Sequence, residues 1–194
     1  MSWQESVTQT VTGLGFDLVD LERSAGGLLR VTIDWPWEPD QGEERFVTVE
    51  DCERITRQLQ YLLEVEAVDY KRLEVGSPGI DRPLRHELDF IRFTGQVIDI
   101  TLRAPIGDTG GAVAPTRKKF RGALERAEDG QRWQIVWSDE PPVKPGQRVS
   151  KRREPAPLQA LAFELSELQQ ARLAPLVNFK GRSAGQVPVP RSTE

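Results

Sequence analysis

Residues 73–84 read Leu-Glu-Val-Gly-Ser-Pro-Gly-Ile-Asp-Arg-Pro-Leu, and no regular element passes through them intact. Lys71, Leu73 and Val75 alternate with Tyr70, Arg72 and Glu74, so a strand with Leu73 and Val75 on one buried face leads in. Gly76, Pro78, Gly79 and Pro83 then fall within eight residues. Pro78 and Gly79 at the centre of a Ser77–Ile80 turn suit type II geometry, in which Pro presets φ and Gly accepts the positive φ that follows. Pro83 keeps Arg82 out of the α region. The expected product is a stiff, extended connector that presents Asp81, Arg82 and Arg85 at a fixed angle. Ser77, Pro78, Gly79, Asp81 and Pro83 then form an interdomain joint. It separates an N-terminal domain, 1–83, from a C-terminal domain, 84–180, with a disordered tail at 181–194.

Charge changes sign across this joint. Residues 1–91 carry 9 Lys and Arg against 19 Asp and Glu, a net −10, whereas residues 92–194 carry 17 against 11, a net +6. An acidic domain joined to a basic one points to two partners, or to one partner with two kinds of surface. The 194 residues leave room for a core in each domain. Cys52 is the single cysteine, so no intrachain disulfide forms, which fits a reducing cytoplasm. With His86 the single histidine, a Cys/His zinc site is excluded. No apolar run approaches a membrane span, and Met1-Ser2-Trp3-Gln4-Glu5 lacks the basic and apolar regions of a signal peptide.

The N-terminal domain is expected to run α-β-β-α-β in two layers. Trp3, Val7, Val11 and Leu14 form one helical stripe, stopped by Gly13 and Gly15. Phe16 to Arg23 reads as a strand, Ser24 to Gly27 as a turn, and Leu29, Val31, Ile33 and Trp35 alternate after it, making a hairpin. An acidic loop follows with Glu38, Asp40, Glu43 and Glu44. Thr48 and Asp51 resemble a capping box ahead of a helix with the stripe Val49, Cys52, Ile55, Leu59 and Leu62. Cys52 on that stripe reads as a small core residue.

The C-terminal domain reads as five short strands, the pattern of a small SH3-like or Sm-like β-barrel. Leu88, Ile91 and Phe93 would anchor a short helical turn, and Ile98, Ile100 and Leu102 alternate next. Phe120, Gly122 and Leu124 share one side of a strand whose glycine would mark a sharp bend. Trp133, Ile135 and Trp137 alternate after the Asp129-Gly130 turn, and Leu161, Phe163 and Leu165 follow. Ser166-Glu167-Leu168-Gln169 reads as a capping box for one helical turn, and Arg172 to Pro175 as a last strand. Loop insertions fall at 104–116 and 138–157, the second with Lys151-Arg152-Arg153.

Catalytic chemistry is sparse. No phosphate-cradling loop or dinucleotide fingerprint occurs, and Ser77 lies outside a nucleophile elbow. A Ser77/His86/Asp81 triad can be drawn, but proximity in sequence is no geometry. The acidic pairs read as a solvated loop and a helix N-terminus. The positive chemistry is basic. Arg117, Lys118, Lys119 and Arg121 open a strand, and with Phe120 inward, Lys119 and Arg121 face outward together. With Arg103, Arg126 and Arg132 they would form a phosphate-contacting patch. The plain alternative is a strand edge kept soluble by lysine. Arg82 and Arg85 read either as external contacts on a rigid connector or as internal ion pairs locking the domains.

The joint resembles the signature of the RimP family of ribosome maturation factors, L-E-V-x-S-P-G-x-D-R-P-L, with Gly76 where the family pattern carries Ser. Gly15-Phe16-Asp17-Leu18-Val19, Val47 to Cys52, Phe93-Thr94-Gly95 and Leu165 to Leu173 are similar to further family motifs. The resemblance implies an α/β domain followed by an SH3-like barrel. It implies a non-enzymatic cytoplasmic factor, without cofactor, metal or small-molecule substrate, that binds immature small ribosomal subunits transiently through rRNA and a ribosomal protein. A monomer is expected. Arg82, Arg85, Arg117, Lys118, Lys119 and Arg121 are the candidate contacts. The runner-up is a free Sm-type RNA-binding regulator, whose ring assembly the acidic domain would hinder. The 104–116 loop, the 138–157 insertion and the tail depart from the family pattern.

Overall fold

The computed structural model describes residues 2–39, 45–107, 114–138 and 158–174. Lys151-Arg152-Arg153, residues 108–113 of the first insertion, residues 139–157 of the second and the tail lie outside them.

Ser2 caps the first helix, α1 (Trp3–Gly13): its Oγ accepts from Glu5 N–H, and the Glu5 carboxylate accepts from Ser2 N–H at 2.7 Å. Gly15, at φ 88°, takes the left-handed turn into β1 (Asp17–Arg23). β1 pairs antiparallel with β2 (Leu28–Asp34), but Leu18 faces Ile33 and Asp20 faces Thr32, so Val19 is an extra, bulged residue. Thr48 and Asp51 form the expected capping box on α2 (Val49–Val65). β3 (Arg72–Gly76) then lies parallel to β2, which completes a sheet of order β1-β2-β3.

Both helices pack on the face of β2 that carries Leu29, Val31 and Ile33. Val7, Val11, Phe16, Ile55, Leu59 and Leu63 complete that core. The expected α2 stripe needs correcting at both ends. Val49, the first residue of the helix, is 71 % exposed, and Leu63 rather than Leu62 is fully buried. Cys52 is half-buried beside the stripe.

The second half begins with α3 (Glu87–Arg92), anchored by Phe90 and not by Leu88 or Ile91, which are exposed. Phe90 packs 5.6 Å from Trp133 and 6.3 Å from Phe163, between ring centroids. Strands β4 (Val97–Leu102), β5 (Lys119–Arg126), β6 (Trp133–Trp137), β7 (Gln159–Phe163) and β8 (Leu168–Leu173) form one antiparallel sheet, order β7-β6-β5-β4-β8. Its core includes Ile98, Ile100, Leu124, Ile135 and Phe163 and shares no residue with the first. Gly122 lets β5 approach β6: a Cβ there would collide with the Val136 carbonyl oxygen.

The ladder does not close into a barrel among the described residues, since β7 and β8 do not pair. A single 3-10 turn, Leu165–Glu167, takes the chain between these two edges. Its cap is Glu164, whose N–H donates to Glu167, not the expected Ser166, and β8 begins earlier than the sequence implied. The free edge of β8 is taken by the joint instead. Leu84 N–H donates to Ala171 O and Leu173 N–H to Arg82 O, both at 2.9 Å, with Pro83 opposite Arg172. The Pro78-Gly79 turn is also not type II, since Gly79 has no positive φ. The chain turns later, at Ile80-Asp81, and a Cβ on Gly79 would lie 3.0 Å from Asp81 Oδ1.

Candidate functional site

Because the joint runs along β8, Arg82 turns inward. It is 8 % exposed. One terminal nitrogen donates to Asp34, the last residue of β2, and the other to Asp89 in the first turn of α3 at 3.0 Å. Arg92, at the end of α3, donates to the same Asp34 Oδ2 at 3.0 Å. Both guanidinium groups lie over the Phe93 ring, 5.5 and 5.0 Å from its centroid. Arg85 donates from its side chain to Asp20 on β1. Three arginines from the joint and α3 are therefore held by carboxylates from both halves.

The carboxylates are positioned by local structure. The bulge at Val19 shifts the phase of β1 and turns Asp20 into the seam, where it is 6 % exposed. Asp34 follows Ile33 at the end of β2, and its other oxygen accepts from Trp35 N–H at 2.9 Å. Asp89 Oδ2 accepts from the Arg85 and His86 amides at 2.9 and 3.0 Å, which caps α3. Burial alone would raise the Asp89 pKa. The two amide hydrogen bonds and Arg82 outweigh it and hold the carboxyl below its usual range. Asp17, at the start of β1, moves the other way: desolvation raises it against the pull of Arg82, and the Asp34 and Asp89 carboxylates add to the rise.

Sequence reasoning left two roles open for Arg82. Both terminal nitrogens of this buried guanidinium are taken by carboxylates, which favours the internal role. Arg85 keeps a half-exposed side chain beside its buried partner. Asp81 points outward, 3.8 Å from Arg172. Ser77, Pro78 and Gly79 line a cleft of about 260 Å³ together with Arg45, Arg92 and Phe93. Ser77 lines this cleft and Asp81 a different one, while His86 stands at the N-cap of α3, and no hydrogen bond joins the three side chains. Among the described residues no cluster of three His, Cys, Asp or Glu side chains could hold a metal. Burial, with Asp51 adding, pushes the Cys52 thiol up, away from nucleophile chemistry.

The basic strand is placed as its alternation implies. Lys119 and Arg121 are exposed while Phe120 is buried. Arg121 grips Asp99 on β4 with two nitrogens, Nε at 2.7 Å. Lys118 Nζ donates to Arg103 O at 3.0 Å, and Arg117 lies 4.6 Å over the Phe120 ring. The wider patch does not assemble. Arg126 is one residue out of phase with Lys119 and Arg121 and donates to Glu87 at 2.7 Å, and Arg132 is paired to Asp129 beside the turn. Strand register adds two residues that sequence reasoning missed, Asp99 and Arg172. Asp99 lies between Arg121 and Arg172 on adjacent strands. Nothing local marks such a row, because it exists only once β8, β4 and β5 are paired.

Comparison with known proteins finds relatives along nearly the whole chain. A model of the RimP N-terminal domain matches residues 6–81. A curated protein of Delftia acidovorans, named ribosome maturation factor RimP, is 70% identical over 193 residues, covering 96% of this chain and 100% of the relative. The protein of that name from Paracidovorax citrulli is 67% identical, covering 98% and 100% respectively. That of Variovorax paradoxus is 64% identical, covering 97% and 94%.

Proposed function

The chain belongs to the RimP family of ribosome maturation factors, and on that premise we propose that it binds immature small ribosomal subunits transiently through rRNA and a ribosomal protein. It is a ribosome assembly factor and not an enzyme. The observation that carries the reading is the 70% identity that extends over the entire length of a curated relative. Its mechanism is differential affinity: a factor that binds one state of a folding ribonucleoprotein better than another shifts the population between them.

In this reading the chain works as two domains that divide at Pro83, the second an SH3-like fold and the protein a monomer of the cytoplasm. The acidic first domain meets a basic protein surface, and Arg117 and Lys118 with Lys119 and Arg121 of β5 meet phosphate. Arg85 is a contact at the joint, and Arg82 holds the joint together. Two separate cores and the opposite charges of the halves support the division. No helix among the described residues is long and apolar enough to cross a membrane.

Sedimentation of a lysate through a sucrose gradient at low and moderate salt tests the reading. Migration with free small subunits, absent from mature ribosomes and weakened by salt, is the expected result. Migration at the top of the gradient at both salt levels would overturn it in favour of a free RNA-binding regulator.

A further inference from the structure

On the outer face of the C-terminal sheet, charge is arranged in rows set by the register. Arg172, Asp99 and Arg121 lie side by side on β8, β4 and β5, and Gln170, Thr101 and Lys119 form the next row. Both rows, with Arg117 and Asp81, line an open trough of about 510 Å³. Four of its side chains are cationic and two anionic. Arg121 and Arg172 are held unequally. Arg121 makes a two-pronged contact with Asp99. Arg172 lies 3.8 Å from Asp81 and 4.0 Å from Glu22, too far for hydrogen bonds.

We propose that this trough binds a phosphodiester backbone in competition with its own carboxylates, and that Arg172 is the residue that exchanges Asp81 and Glu22 for phosphate. The inference rests on the reading of the chain as an RNA-contacting assembly factor. Exposed ion pairs are weakly held, so phosphate can replace Asp99 without stranding a buried charge. Arg121 and Arg172 stand two strands apart, roughly 10 Å at the backbone, so they suit separate phosphates on one chain. Of the large apolar residues that line the trough, Ile100 and Phe120 are 1 % and 2 % exposed, and Leu173 is partly buried. The trough therefore offers charge without an aromatic stacking platform, and its only partly exposed large apolar side chain among the described residues is Leu173. That favours backbone contact over base readout and over an acidic protein segment. Because Glu22 belongs to β1, an occupied trough also removes an ion pair between the two halves.

The test is binding of the full chain to fluorescein-labelled oligouridylate, read by anisotropy across a salt series. Lys119→Ala and Arg172→Ala each weaken binding about three- to tenfold and lower the slope of log affinity against log salt by about 0.7, the share of one phosphate. Arg172→Lys keeps most of the slope, which separates charge from lost packing. Asp99→Asn strengthens binding about threefold, whereas Glu53→Gln on α2 leaves it unchanged. Binding that none of the trough variants alters, or that Asp99→Asn weakens, would overturn the proposal. So would a polyglutamate peptide that binds as tightly with the same dependence on the variants, since the trough would then be a protein site. Sedimentation of the wild-type chain with small subunits reads the underlying function separately: if it persists while trough variants leave oligouridylate binding unmoved, only this inference fails.

Discussion

Arg92 Nη1 donates to Asp34 Oδ2 at 3.0 Å across 58 residues of sequence, tying the end of the first helix after the joint to the end of β2. Arg82 shares the same carboxylate oxygen, so Asp34 is where both halves of the chain are fastened. The seam between the two cores is thus ionic where each core is apolar.

Arg82→Ala removes one of the three hydrogen-bond partners described for each of Asp34 and Asp89, in a site about one-tenth exposed. Breaking a buried pair from one side typically costs about 3–5 kcal/mol, and the remaining Arg92 contact places the expected loss near the lower figure. Urea denaturation checks this. A double cycle with Asp34→Ala should show coupling of roughly 0.5–3 kcal/mol, whereas additive effects would mean that the two side chains do not interact.

Arg85→Ala should cost less, about 1–3 kcal/mol, because Arg85 is half exposed and only its partner Asp20 is buried. Pairing it with Asp20→Asn should recover part of that loss. A double variant as unstable as the sum of the two single variants would show that Asp20 is held by something other than Arg85.

Acid should loosen the seam through Asp89. Its folded pKa is depressed, so it contributes stability at and above its ordinary value near pH 4, and that contribution is lost as pH falls through the folded value. Asp17 has the opposite sign: its raised pKa means that its charge costs stability at neutral pH, and the cost disappears on acidification. Melting temperature followed from about pH 6 to 2 should therefore show a shallower acid limb for Asp89→Asn. Asp17→Asn should be more stable than the parent at pH 7.

Two glycines should answer alanine in opposite senses. Gly122→Ala drives a Cβ into the β6 backbone, which cannot rotate away, and should cost roughly 3 kcal/mol. Gly13→Ala, in the last turn of α1 with open space around it, should stabilise by about 0.4–1 kcal/mol. Equal effects would mean that the β5–β6 approach is looser than described.

The apolar periods were legible because burial acts through spacing alone. Leu29, Val31 and Ile33, and Trp133, Ile135 and Trp137, are inward where alternation puts them. The break in regular structure between β3 and α3, too, was legible from its prolines and glycines, although its turn comes later than those residues implied. The partners of its arginines were not. Asp20 and Asp34 sit in strands, where a charged residue ordinarily marks the wet face, and each meets an arginine many residues away. Leu18 and Val19, two apolar residues in succession, were the only local trace of the bulge that turns Asp20 inward. Row-mates such as Arg172 and Asp99 follow from register, which no single strand encodes.

The hydrogen bonds from the joint to β8 also have a consequence in time. A ribosome makes this chain from residue 1 onward, so Arg82 and Leu84 emerge long before Ala171 and Leu173 exist to receive them. The first core can assemble as soon as β3 is complete, but the segment after it has no strand to lie against until the last element is synthesised. In a protein that attends the birth of ribosomes, the ionic ties of the seam need nothing beyond residue 92, but the backbone pairing that seats the segment after β3 waits for β8.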